Sequence, residues 1–154
     1  MVNFYKKTTM AQQIYSVKIK YNNVIEYFKY NRHIEKFICV MNLQPSPESG
    51  IYKVRVEYQK SLFPRVWLIE PELEMVDGKR AHHVYWGKED KDGHPQLCVF
   101  YNAEDNWNSN RLVGDVFIPW VISWLYTYEY WILTGEWHYS ESGHSNVEKQ
   151  EPNQ

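Results

Sequence analysis

The sequence predicts a single α+β domain. Three observations carry that expectation: a capped amphipathic helix near the N-terminus, alternating strands through the middle, and an aromatic-rich helix toward the C-terminus. At 154 residues the chain can enclose one substantial core and is short for two. Hydrophobic residues make up 44% and aromatic residues 17%, with 7 Trp and 13 Tyr, so enough surface can be buried for the domain to fold unaided.

The first helix opens on Thr9-Met10-Ala11-Gln12, a T-x-x-Q capping box in which hydroxyl and amide satisfy two orphan backbone N–H groups. Ile14, Val17, Tyr21, Val24, Ile25 and Phe28 then recur at helical spacing as one apolar stripe. Asn22-Asn23 interrupts or ends it, which sets the helix at about Met10 to Tyr21.

The period then changes. Lys36 to Leu43 reads as a strand, closed by the turn-forming Pro45-Ser46-Pro47-Glu48-Ser49-Gly50. Tyr52, Val54, Val56 and Tyr58 alternate with Lys53, Arg55 and Glu57, the period-two pattern of a half-buried antiparallel strand. Val66 to Ile69, bracketed by Pro64 and Pro71, is a third strand, so the order is a meander. From Asp77 to Pro95 the chain is polar and reads as a surface loop with at most a short strand at His82 to Trp86. Leu97 to Tyr101 is a brief apolar run, and Asn102 to Asn110 is again loop-like.

Pro119 suits the first turn of the second helix, and Gly135 its C-cap. Trp120, Trp124, Tyr128 and Trp131 fall close to one face, a stripe that reads as core against a sheet, with a leftover exposed patch open because aromatics occur nearly all round. The stretch after it, Glu136 to Gln154, is polar and aperiodic, and is expected to be a flexible tail from residue 138 onward.

Charge and cysteine content narrow the function classes. The balance of 17 basic to 19 acidic residues gives a formal charge of −2 with no basic stripe, so no nucleic-acid surface is expected. No secretory leader is read in Met1 to Lys7, and the apolar stretch from Phe117 to Leu133 is too short and too polar to span a bilayer. Two isolated cysteines, Cys39 and Cys98, suit a reducing compartment rather than a disulfide scaffold. A cytoplasmic protein with no membrane partner is expected.

Cys98 is the sharpest chemical candidate. It ends Gly93-His94-Pro95-Gln96-Leu97-Cys98 at the edge of the polar loop. A nucleophilic cysteine acts through its thiolate and needs partial exposure and a stabilising or proton-accepting neighbour. His94 is a candidate for that neighbour, or for a residue that rigidifies the loop. The competing reading makes Cys98 a small buried hydrophobe in a strand. Cys39 lies in an apolar strand pattern with no nearby His or acid and reads as core. His82, His83, His94 and Cys98 are a candidate metal set, but no H-E-x-x-H or C-x-x-C occurs, and adjacent histidines in a strand would point to opposite faces. No metal or cofactor is expected, and no G-x-x-x-x-G-K-[ST] phosphate loop is present.

At this point a family pattern is visible. Pro64 to Pro71 with a following loop, His94-Pro95, Leu97-Cys98-Val99, Trp107 and a helix resemble the ubiquitin-conjugating fold. Leu43-Gln44-Pro45-Ser46, the Tyr52 to Tyr58 alternation, Leu97 to Tyr101, Trp107, Ile118-Pro119-Trp120, Trp124-Leu125 and the Tyr128-Glu129-Tyr130-Trp131…Thr134-Gly135-Glu136-Trp137 string are more specific. They resemble the prokaryotic conjugating-enzyme-like family of bacterial CBASS anti-phage operons, in its short type without a fused activating enzyme. The resemblance covers about Met10 to Trp137. It implies a helix, a four-stranded antiparallel meander, an active-site loop and a C-terminal helix, in a domain ending at residue 137.

The same resemblance implies that Cys98 accepts a carboxyl group as a thioester and passes it to an amine. The donor in that family is the C-terminal tail of a cyclic-GMP-AMP-synthase-like nucleotidyltransferase. His94 would organise or deprotonate the site, with Asp105 and Trp107 shaping the loop. Gln96 stands where the conjugating enzymes carry an asparagine after His-Pro, and Gln96, Asn102 and Asn106 are the amides available for that role. Two further classes remain: a non-catalytic module that docks on the nucleotidyltransferase, and a cysteine hydrolase that removes such adducts.

Overall fold

A computed structural model of the chain describes residues 7–100 and 107–138. The first helix, α1, spans Met10–Tyr21, and its capping box forms as the sequence dictates: the Gln12 amide donates to Thr9 Oγ1 at 3.1 Å, and the Thr9 amide to Gln12 Oε1 at 2.9 Å. After a 3₁₀ turn at Asn22–Val24, β1 runs Ile25–Asn31. Here the structure corrects the helical stripe, because Ile25 and Phe28 belong to a strand. Phe28 reaches the core by stacking on Phe37, with ring centroids 5.3 Å apart.

The remaining strands are β2 (Lys36–Leu43), β3 (Tyr52–Gln59), β4 (Arg65–Glu70) and the short β5 (Gln96–Leu97). They form one antiparallel sheet in the order β1-β2-β3-β4-β5. Alternation sets its inner face, since Phe37, Cys39, Met41 and Leu43 on β2 are buried beside Tyr52, Val54, Val56 and Tyr58 on β3. The four-stranded meander is thus present, with β5 added at its edge. The segment 82–86 is not a strand; it touches β5 at one bridge, Val84 opposite Leu97.

A π-turn at Val113–Phe117 leads into the second helix, α2, at Ile118–Thr134. Pro119 sits in its first turn and Gly135 caps it with φ 75°, a left-handed conformation that glycine adopts without steric cost. Val121, Trp124, Leu125, Tyr128 and Trp131 are buried beneath the sheet, while Trp120 is only partly so. The core also takes in Trp137, which is 2% exposed, so the chain is packed for at least three residues past the helix. Residues 139–154, the greater part of the expected tail, lie outside the described residues.

The two helices are joined through polar groups. Gln13 is completely buried yet fully engaged: Nε2 donates to Thr8 Oγ1 and to the Arg111 carbonyl, and Oε1 accepts from the Val113 amide at 2.8 Å. Ser16 Oγ accepts from the Gly114 amide at 3.0 Å. The backbones approach so closely that a Cβ on Gly114 would fall inside the Ser16 carbonyl. Overpacking of this kind costs roughly 1–3 kcal/mol, and more when the obstacle is backbone. Gly114→Ala is therefore expected to lower the denaturant midpoint by at least that amount, whereas Gly50→Ala, whose Cβ meets nothing within 4 Å, should leave it almost unchanged.

Candidate active site

The long segment from Pro71 to Pro95 carries little regular structure, so its position depends on individual bonds. The His83 carbonyl is the principal one. It accepts Trp124 Nε1–H of α2 at 3.0 Å and the Cys98 amide at 2.8 Å, using both lone pairs of one oxygen. The Tyr85 amide donates to the Gln96 carbonyl at 2.9 Å, which extends the sheet by a fragment beyond β5. His82 stacks on Trp137 at 5.3 Å, and the His83 ring lies 6.0 Å from the same indole. The two histidines do not point to opposite faces: His83 has φ 53°, and the departure from extended backbone brings both rings to Trp137.

Cys98 follows β5 directly and is partly exposed. Its thiol donates to the Phe100 carbonyl at 3.2 Å, and its side chain also shares a hydrogen bond with the Tyr85 phenol. Burial, then that bond, push the Tyr85 phenol well above its ordinary pKa, so it keeps its proton throughout the range in which a thiol titrates. Cys39 differs in kind. It has no accessible surface, and burial pushes its thiol up to about 12, which leaves it inert as a nucleophile.

His94 is brought to a different cluster. Its Nδ1 lies 2.9 Å from Asp90 Oδ2, and its amide donates to Asp90 Oδ1 at 2.8 Å. The same carboxylate takes Arg55 at 2.9 Å and the Asp92 amide at 3.0 Å. Burial alone would raise the Asp90 pKa, but the His94, Arg55 and Asp92 donors outweigh it and hold the carboxyl well below the usual range. Bonds from Leu68 to Pro95, Tyr85 to Gln96 and Cys98 to His83 mark the intervening chain as extended. Four residues then cover about 13 Å, so His94 and Cys98 stand at opposite ends of β5.

Gln96 lies opposite Trp67, away from the core-facing pair of Leu97 and Val66. The Arg55 and Arg65 guanidiniums lie over that indole, 4.7 and 5.1 Å from its centroid. Trp107 is 5% exposed and meets Tyr58, Phe117 and Trp120 edge-on. It also lines a cavity of about 330 Å³ with Lys7, Ser61, Leu62, Phe63, Asn108 and Ser109. Asn102, Asp105 and Asn106 lie outside the described residues. Asp90, Asp92 and His94 bring possible metal-ligand atoms within 4.8 Å of one another, but Asp90 and His94 Nδ1 are already engaged with each other. Sequence spacing points to His94, weighs His83 only as a metal ligand, and passes over Tyr85. The aromatic-rich His82-to-Trp86 patch was visible as a possible strand, but its bonds to Trp124 and Cys98 are long-range.

A helix, an antiparallel meander, a long loop returning to a part-exposed cysteine at the sheet edge, and a helix beneath that loop define a conjugating-enzyme-like α+β protein. The sequence model of the family described as Type II CBASS E2 protein matches residues 13–145, and the chain belongs to that family. No curated protein matches the sequence. Among the described residues, no helix is long and apolar enough to cross a membrane.

Two measurements check this geometry. Brief iodoacetamide treatment of the native protein should label Cys98 and spare Cys39, which should react only after unfolding; equal labelling in the native state would contradict the packing. Acid stability should depend on Asp90. A carboxyl with a depressed folded pKa stabilises above its ordinary value of ~3.9 and loses that contribution as pH falls. Asp90→Asn is expected to weaken the fall in melting temperature between about pH 5 and pH 2.

Proposed function

We propose that this protein is a conjugating-type cysteine acyltransferase. The Cys98 thiolate adds to an activated carboxyl at the C-terminus of a cyclic-GMP-AMP-synthase-like nucleotidyltransferase, the activating group departs, and a thioester remains. An acceptor amine then displaces the sulfur and forms an amide. The observation that carries this reading is the contrast between the two cysteines: Cys98 is partly exposed at the end of β5, whereas Cys39 is sealed in the core. Membership of the Type II CBASS family supports a role within that anti-phage operon, and the transfer would regulate the nucleotidyltransferase. His94 organises the loop through Asp90 and Arg55, and Trp107, which lines a cavity with Leu62 and Phe63, would shape the loop that follows Cys98.

One observation favours a second reading, a non-catalytic module that docks on and scaffolds the nucleotidyltransferase. The thiol hydrogen is directed to a carbonyl and the His94 ring to a carboxylate, so neither is in an attacking arrangement. Intact-mass analysis of the protein co-expressed with the nucleotidyltransferase of its operon separates the two. The expected result is a partner-sized adduct that thiol reductant and Cys98→Ala both abolish. A stable complex with no covalent adduct would select the docking module.

A further inference from the structure

We propose that Tyr85 is a positioning residue that holds the Cys98 sulfur and stabilises its thiolate by donating its phenolic hydrogen. The inference deepens the acyltransferase reading and rests on it for its purpose, though not for its test.

A thiol has one hydrogen, and that of Cys98 is directed to the Phe100 carbonyl at 3.2 Å. The antiparallel pairing of the His83–Tyr85 and Gln96–Cys98 segments brings the Tyr85 phenol to the sulfur, and with the thiol hydrogen on Phe100 the phenolic O–H is the donor in that contact. On deprotonation the bond to Phe100 is lost, and a carbonyl oxygen is left facing an anion. The Tyr85 bond is retained and strengthens, because hydrogen bonds to a charged acceptor exceed neutral ones. The two contacts thus oppose each other: Phe100 favours the resting thiol, and Tyr85 favours the nucleophile.

The backbone fixes this arrangement. The pairing of Val84 with Leu97 and the bonds Tyr85 to Gln96 and Cys98 to His83 hold the two residues on adjacent extended segments. Burial keeps the phenol protonated, so Tyr85 acts as a donor and does not compete as a base. Other titratable or charged groups among the described residues lie on the elements packed here. They include His82 and His83 on the same segment, Arg80 over the Trp86 ring, Lys88 with its ammonium 5.7 Å from the Tyr85 ring centroid, and Arg65 next to the β4–β5 pairing. Lys88 and Arg65 are cationic, and also favour an anion.

The test is the pH dependence of iodoacetamide alkylation at Cys98, read by peptide mass on the isolated full chain. Tyr85→Phe should move the midpoint upward by about one pH unit and slow alkylation below it about tenfold. An unmoved or lowered midpoint in a variant that melts like the wild type would overturn the proposal. Should the Phe variant fail to fold, 3-fluorotyrosine placed at position 85 keeps the side chain and makes its hydroxyl a better donor. The midpoint should then move downward, and no downward movement would equally overturn it. No partner is needed, so an unshifted midpoint sinks this proposal alone, whereas a shifted midpoint with no co-expression adduct sinks only the acyltransferase reading.

Discussion

One carbonyl oxygen carries the candidate site. A loop of some two dozen residues with little secondary structure has few internal bonds with which to hold a reactive group in place. The His83 carbonyl supplies the constraint by accepting Trp124 Nε1–H from the helix and the Cys98 amide from the sheet edge. Loop, helix and sheet meet at that atom. Trp124 has no accessible surface, so its indole N–H needs a buried acceptor, and the same need that satisfies the core anchors the site.

The packing around this point serves the same end. Trp137 stacks on His82 and meets Trp124 and Trp131 edge-on, so the chain after α2 folds back to clamp the loop. On the other flank, the buried Gln13 and the close approach of Gly114 to Ser16 tie α1 to the π-turn that launches α2. That tie sets where α2 begins, and with it the position of Trp124. A single polar glutamine in a dry interface is tolerable because each of its hydrogen-bonding atoms is matched. Arg55, Asp90 and His94 form a separate, charged fixture on the outer side of the sheet.

Much of the fold was legible in the sequence because period and punctuation agreed. Thr9 and Gln12 marked the start of α1, alternation marked β2 and β3, and Pro119 and Gly135 bounded α2. The first strand was not legible, since Ile25 and Phe28 repeat at helical spacing and an edge strand with one open face shows weak alternation. Trp137 was legible through the family resemblance but not through period: it is a single apolar residue in a polar stretch, and its partners His82 and Trp124 are distant in sequence. Cys98 was legible as a candidate through its local run, but its neighbours were not. His94 is close along the chain and far along an extended strand, while Tyr85 and His83 are brought near by pairing that no local pattern encodes. The family membership adds a place in a Type II CBASS operon, which composition alone does not hint at.

Native-state hydrogen exchange at the Cys98 amide tests most directly whether the site is built or merely adjacent to a loose loop. The amide donates to the His83 carbonyl, which is itself held by Trp124. It is expected to exchange with protection approaching that of the Val54 and Val56 amides in the central strand. Exchange as fast as that of an exposed turn amide such as Glu48 would contradict the anchoring of Cys98 through His83.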